Sequence, residues 1–137
     1  MYILDTNVIS ELRKAKKTHP NVKKWAEPLP SANLYISVIS VLELEIGILL
    51  VDRRDKAQSA ILRTWMDRHV LPTFSDRLLA IDTAVAQRCA TLHVPNPRSD
   101  RDALIAATAL VHGLTVATRN LADFERAGVG VVNPWEA

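Results

Sequence analysis

Short apolar runs and longer amphipathic stretches take turns along the whole chain. The run YIL at 2–4 is too short for a helix and reads as a buried strand, followed by a helix from about Thr6 to Lys14. Pro20 starts another helix through Trp25, which the Pro28 to Pro30 stretch ends. LYIS at 34–37 predicts a second strand. SVISVLELEIGILLV then predicts a strongly apolar helix, and KAQSAILRTWMDRHV an amphipathic one that stops before Pro72. LLAI (78–81) is a third strand, and DTAVAQRCATLH a helix with Asp82 as its N-cap. After the Pro-rich loop VPNPRSD comes the helix DALIAATALVHG, closed by Gly113. TVAT (115–118) and VGVV (129–132) are strands four and five, with a short helical turn near ADFERAG between them.

Strands that are apolar on both faces and separated by helices predict a central parallel sheet, about five-stranded, flanked by helices on both faces. The class is α/β, as one domain over residues 1–137. The length fits a single core. Apolar residues make up 48% of the chain, with four Gly and seven Pro, a composition that excludes disordered and fibrous classes. The one cysteine, Cys89, cannot form an internal disulfide. Without a signal-peptide pattern or an apolar stretch of about 20 residues, the expected location is cytoplasmic, with no membrane contact.

In open parallel sheets, ligands bind beyond the carboxyl ends of the strands, where strand order reverses. The polar residues there are Asp5, Thr6 and Asn7 after strand one, Ser37 and Ser40 after strand two, Asp82 after strand three, and Thr118, Arg119 and Asn120 after strand four. Asp5 reads equally as a helix N-cap or as a functional carboxylate. Glu43 closes an S-x-x-E capping box from Ser40 if the helix starts there. If it starts near Ser37, Glu43 shares an apolar face with Ile39, Ile46, Gly47 and Leu50. Asp102 ends an S-x-x-D pattern from Ser99, yet shares its face with Ile105, Ala106 and Ala109.

A carboxylate on an apolar face shifts its pKa or takes a cation. Two or three converging on one sheet edge suit a hard divalent ion, Mg²⁺ or Mn²⁺. Zinc is disfavoured, because His19, His69, His93 and His112 are scattered. Glu45, on the opposite side of its helix from Glu43, and Asp100, a first-turn charge, lie outside the cluster.

Net charge is +2, but Arg13, Lys14, Lys16 and Lys17, followed by Lys23 and Lys24, crowd one segment without an intervening acid. Such a patch binds a polyanion through phosphates or serves as a solvated face. With Asp5, Glu43 and Asp102 set aside, 12 acids face 17 bases, so the remaining surface is cationic.

Four ordered blocks, LDTNVISEL, SVISVLELEIG, SDRDALIAATALVHG and LTVATRNLADFERAGVGVVNPW, together resemble the PIN domain, and within it the VapC and FitB-type toxins of type II toxin–antitoxin modules. The resemblance covers essentially the whole chain. It implies a Mg²⁺-dependent endoribonuclease that cleaves RNA phosphodiester bonds with metal-activated water, with Asp5, Glu43 and Asp102 as its acidic ligands and catalytic residues. A fourth acid often follows strand four in this family; here the position is Asn120, an amide, with Asp123 three residues on. Thr6, Asn7 and Thr118 then orient carboxylates or water. The resemblance further implies a VapB-like antitoxin, a homodimer, and a larger hetero-oligomer on operator DNA. The apolar surplus on the helices carrying Val38–Val51 and Ile61, Leu62, Trp65 and Met66 is either core or a groove for such partners. A second reading from a different class is a PIN-fold nucleic-acid-binding module with little catalysis, acting with an antitoxin in DNA-bound autoregulation.

Overall fold

The computed structural model describes residues 1–137. Its centre is a five-stranded parallel sheet made of β1 (Tyr2–Leu4), β2 (Leu34–Ser37), β3 (Leu78–Leu79), β4 (Thr115–Ala117) and β5 (Val131–Val132), in the order β3-β2-β1-β4-β5. β1 is the middle strand, with Tyr2 paired to Leu34 on one side and to Thr115 on the other. Side chains one residue apart leave a strand on opposite faces. Ile3 and Val116 therefore enter one core layer with Ile105, Ala106, Ala109 and Phe124. Leu4 and Ala117 enter the other, with Val8, Ile9, Leu44, Ile48 and Met66.

Eight helices cover the sheet: α1 (Thr6–Leu12), α2 (Pro20–Ala26), α3 (Val38–Asp52), α4 (Lys56–Trp65), α5 (Leu71–Thr73), α6 (Thr83–Leu92), α7 (Asp100–His112) and α8 (Leu121–Glu125). The caps decide where the functional helices start. Ser37 Oγ accepts the Ile39 N–H at 3.0 Å, so α3 begins at Val38. Ser40 is thus inside the helix and buried, and no capping box forms with Glu43. Asp82 caps α6 by accepting the Val85 N–H at 2.9 Å. Gly113 ends α7 at φ +67, and the Leu114 N–H returns to the Ala109 carbonyl at 2.9 Å. Small residues on α7, among them Ala103 and Ala107, let Val85 and Cys89 of α6 pack closely against it.

Three expectations need correction. The amphipathic helix does not stop before Pro72. A π-helical turn (Met66–Val70) follows α4 and leads straight into α5, with Pro72 in its first turn. Proline lacks an N–H and crowds the carbonyl four residues back, and the chain passes it just after a widened turn in which the Leu71 N–H bonds the Met66 carbonyl. Strands three, four and five are shorter than their apolar runs. β3 meets only Ile36 and Ser37 before β2 gives way to a helix, and Val129 is buried in the core without joining the ladder. The face shared by Glu43 is only partly buried: Gly47 is exposed and Leu50 is 56% exposed. No helix is long and apolar enough to cross a membrane.

Candidate active site

Strand order reverses between β1 and β4. From β1 the chain goes to β2 and β3 on one side, then crosses to β4 and β5 on the other. The connections diverge there and leave a crevice at the carboxyl ends of the two strands. Asp5 stands at its floor. The Asp5 N–H bonds the Ala117 carbonyl at 2.9 Å, and the residue is only 4% exposed.

Asp5 is the N-cap of α1, and its two oxygens have different partners. Oδ1 caps α1 by accepting the Thr6 N–H at 2.8 Å. Oδ2 accepts the hydroxyl of fully buried Thr118 at 2.7 Å, with Asn7 Nδ2 at 3.3 Å. Thr118 Oγ1 also accepts the Asn120 N–H at 2.9 Å, which leaves its own proton for Asp5. Asn7 Oδ1 receives the Arg119 N–H at 3.4 Å, a long bond that still ties the two loops together.

Glu43 is reached from the same turn. Thr6 Oγ1 lies 2.8 Å from Glu43 Oε1 and 3.0 Å from Ser40 Oγ. A hydroxyl has one proton, and a carboxylate can only accept, so Thr6 donates to Glu43 and receives from Ser40. Asp102 comes from the first turn of α7. Ser99 makes no side-chain cap there, so the S-x-x-D box is not formed. Asp102 lines a cavity of about 170 Å³ together with Asn96, Pro97, Arg98, Ser99, Asp123 and Arg126.

Electrostatics show how close these acids are. Burial, more than any neighbour, raises the pKa of Asp5; Thr118 and the Thr6 N–H pull it back, and Glu43 and Asp123 push it up. Asp102 is raised to about 6, first by burial and then by Asp5, Asp123 and Glu43. Arg101 Nη1 is 3.8 Å from Glu43 Oε2, and Arg98 and Arg126 line the cavity beside Asp102 without pairing with it. Carboxylate oxygens are hard donors of the type that Mg²⁺ or Mn²⁺ takes. The cage itself is open, because no three Asp, Glu, His or Cys side chains are arranged to hold a metal ion. Glu43 is 26% exposed and Asp102 half-buried.

The remaining candidates fall in separate places. Asn120 is exposed at the start of α8 and caps nothing with its side chain. Asp123, on the first turn of α8, is exposed and adds to the acidic field. Arg13 stacks over the Trp65 ring at 5.9 Å and borders a groove that reaches Thr6 and Glu43. Lys14 pairs with Glu11 at 2.9 Å, and Lys16 and Lys17 are exposed on the following 3₁₀ turn. These three follow the far end of α1, the end opposite Asp5. Glu45 is bound to Arg63 at 2.6 and 3.0 Å, and exposed Asp100 faces His93 at 3.6 Å; neither joins the cluster.

Sequence reasoning overlooked the bond from Ser40 to Thr6 and the arginines around the site. Arg101 adjoins Asp102 in the sequence and so had a readable signal. Arg119 had its place after strand four, but its stacking on Trp135, 5.0 Å from ring centre to guanidinium carbon, had no signal, because it joins residues far apart in the chain.

A five-stranded parallel sheet in this order, with Asp5 after β1, Glu43 in the second turn of α3 and Asp102 in the first turn of α7 on the side of its switch point, defines a class. The chain belongs to the PIN domain family, whose model matches residues 2–130. Among its relatives, it is 37% identical to VapC ribonuclease Y4jK of Sinorhizobium fredii, over 99% of each chain. It is also 37% identical to toxin FitB of Neisseria gonorrhoeae, over 98% of this chain and 99% of the other. The solved structure of FitAB bound to an IR36 DNA fragment matches 98% of this chain and 96% of that chain at 35% identity, with a TM-score of 0.89.

Proposed function

We propose that this protein is the toxin of a type II toxin–antitoxin module, a Mg²⁺-dependent endoribonuclease. The observation that carries the reading is Asp5, a buried carboxylate at the switch point, aimed by Thr118 and surrounded by Glu43, Asp102 and Asp123. The full-length likeness to a VapC ribonuclease and to toxin FitB supports it.

Asp5 and Asp102 are the residues that would hold the ion, with Glu43 as a third ligand or as the group that orients the attacking water. A divalent ion bound there lowers the pKa of a water and polarises the phosphoryl oxygen. Thr118 fixes Oδ2 of Asp5, and Thr6 holds Glu43 Oε1, so each carboxylate is held at one oxygen. Asn120, an amide, adds no charge, while Asp123 partly replaces the fourth acid. The fit to Mg²⁺ rests on the donor set.

Partners follow from the same likeness and from the surface. Leu42, Leu49 and Leu50 of α3 and Ile61 of α4 are 46–61% exposed, while Leu44, Ile48 and Met66 fill the core. We assign the exposed set to a homodimer contact and to a cognate VapB-like antitoxin, the complex binding operator DNA as the FitAB complex binds its fragment.

Purified toxin freed of partner should cut RNA with Mg²⁺ and not with EDTA. Asp5→Asn should abolish the cut, and activity surviving in that variant counts against the assignment. The open carboxylate cage and Asn120 favour one second reading, a PIN module that binds nucleic acid with its antitoxin and cleaves little. Intact RNA after prolonged incubation with Mg²⁺ or Mn²⁺ would select it.

A further inference from the structure

The cavity beside Asp102 lies where the loop joining α6 to α7 meets the start of α7 and α8, and it has a feature the acid cluster does not explain. Its wall carries two arginines, Arg98 and Arg126, and two aspartates, Asp102 and Asp123. Opposite charges sharing so small a space ordinarily close into ion pairs. Here none does: neither arginine comes within 4.0 Å of any carboxylate, although the same chain forms such pairs at Glu11, Glu45 and Asp52. The hydrogen bond of Arg98 Nη2 goes to the Arg126 carbonyl at 3.3 Å, which ties the loop to the turn after α8 and leaves most of its guanidinium edge unused. Arg126 makes no side-chain bond to an acid, and its residue is exposed.

A ligand that satisfies such a wall must present negative charge to the guanidinium groups while lying beside acids that would take a cation. A phosphodiester next to a metal-binding carboxylate does both. The planar donor fork of arginine matches phosphate oxygens at two points. Asp102 belongs to both places, so whatever enters this cavity is continuous with whatever lies against the acid cluster. We infer that Arg98 and Arg126 form a phosphate subsite that holds the RNA strand one linkage away from the bond under attack. This inference rests on the nuclease reading for its substrate, and it moves the main site of phosphate binding from the lysine-rich turn after α1 to the α8 side of the crevice.

The test is RNA binding in EDTA, where metal-dependent cleavage does not run. Wild type and Arg98→Ala/Arg126→Ala are titrated with a labelled single-stranded RNA, and with a set of the same RNAs each carrying one neutral methylphosphonate linkage. The double variant should bind about 10-fold more weakly. Its log–log salt slope should be shallower by about 0.7 for each phosphate of the single strand that the variant no longer neutralises. One methylphosphonate position should weaken wild type and leave the variant unaffected. If the double variant does not fold, Arg126→Ala, at an exposed position, replaces it, and Arg126→Lys should recover part of the affinity.

Equal affinity and slope in both proteins overturns the subsite. So does a methylphosphonate effect of the same size in both, or a wild type that does not bind RNA in EDTA. The two readings fail separately. A protein that shows the positional effect but never cleaves RNA with Mg²⁺ loses the nuclease assignment and keeps the subsite, whereas one that cleaves RNA and ignores both arginines loses only the subsite.

Discussion

Asp5 does two jobs with two oxygens, and that division makes Thr118 a sensitive position. Thr118→Val keeps the shape of the buried side chain and removes the only hydroxyl donated to Oδ2. Loss of such a supporting partner costs about 10–100-fold in metal affinity or activity. Mg²⁺ titration of cleavage should show that loss, and circular dichroism should show an unchanged fold. The acids also set a pH dependence. Asp102 keeps its proton up to about 6 in the folded chain, against an ordinary value of 3.8, so the folded state binds the extra proton between those values. Without metal, this group's contribution to stability is present below about pH 4 and lost as pH rises through about 6. Glu11 runs the other way. The His19 N–H and Lys14 lower its pKa, so its contribution holds above the ordinary carboxylate range and is lost as pH falls below it. Melting curves in EDTA should therefore fall slightly from pH 4.5 to 6.5, whereas Mg²⁺ should raise the melting temperature more at pH 7.5 than at pH 5, where protons compete for Asp102. A Mg²⁺ effect independent of pH contradicts the assignment of that residue.

Among the elements, the helices were the easiest to read from sequence and the strand ends the hardest. α6, α7 and the start of α3 carry their own signals: Asp82 and Ser37 before the first turn and Gly113 after the last. Gly113 sits at φ +67 with open space around it, so Gly113→Ala meets no steric wall and pays only for the left-handed backbone, about 1–2 kcal/mol in urea unfolding. Strand ends depend on what the neighbour does, which a single run of residues does not contain. VGVV is apolar throughout, yet only Val131 and Val132 pair, opposite Val116 and Ala117. The same limit applies to the site. The position of Asp5 after a strand was legible, because a strand followed by a cap is a local pattern. That Thr6 should reach Glu43, or Arg119 lie over Trp135, was not, because each pair is brought together by packing between segments distant in sequence. The stacked pair is itself testable. Trp135→Ala should cost about 0.5–1 kcal/mol beyond the packing loss through the cation–π interaction, read from a double-mutant cycle with Arg119→Ala.

For the molecule as a whole, one side of α3 and α4 remains apolar where it meets solvent. Leu49→Lys and Ile61→Lys, each about 60% exposed, should change unfolding free energy by no more than about 0.5 kcal/mol. They should nevertheless shift the elution of the protein toward the monomer and weaken its complex with antitoxin. A lowered melting temperature with unaltered assembly would show instead that these residues serve the fold.

The middle strand is made before its partner β4, from which most of the chain separates it; the hydrogen bond from Thr118 to Asp5 spans 113 residues. A polypeptide still emerging from the ribosome therefore has the carboxylate but neither the hydroxyl that aims it nor the strand that completes its half of the sheet. A chain interrupted before β4 holds most of the layer around Leu4 and Met66 but lacks Val116 and Phe124 of the other layer, and its Asp5 has no Thr118 to meet.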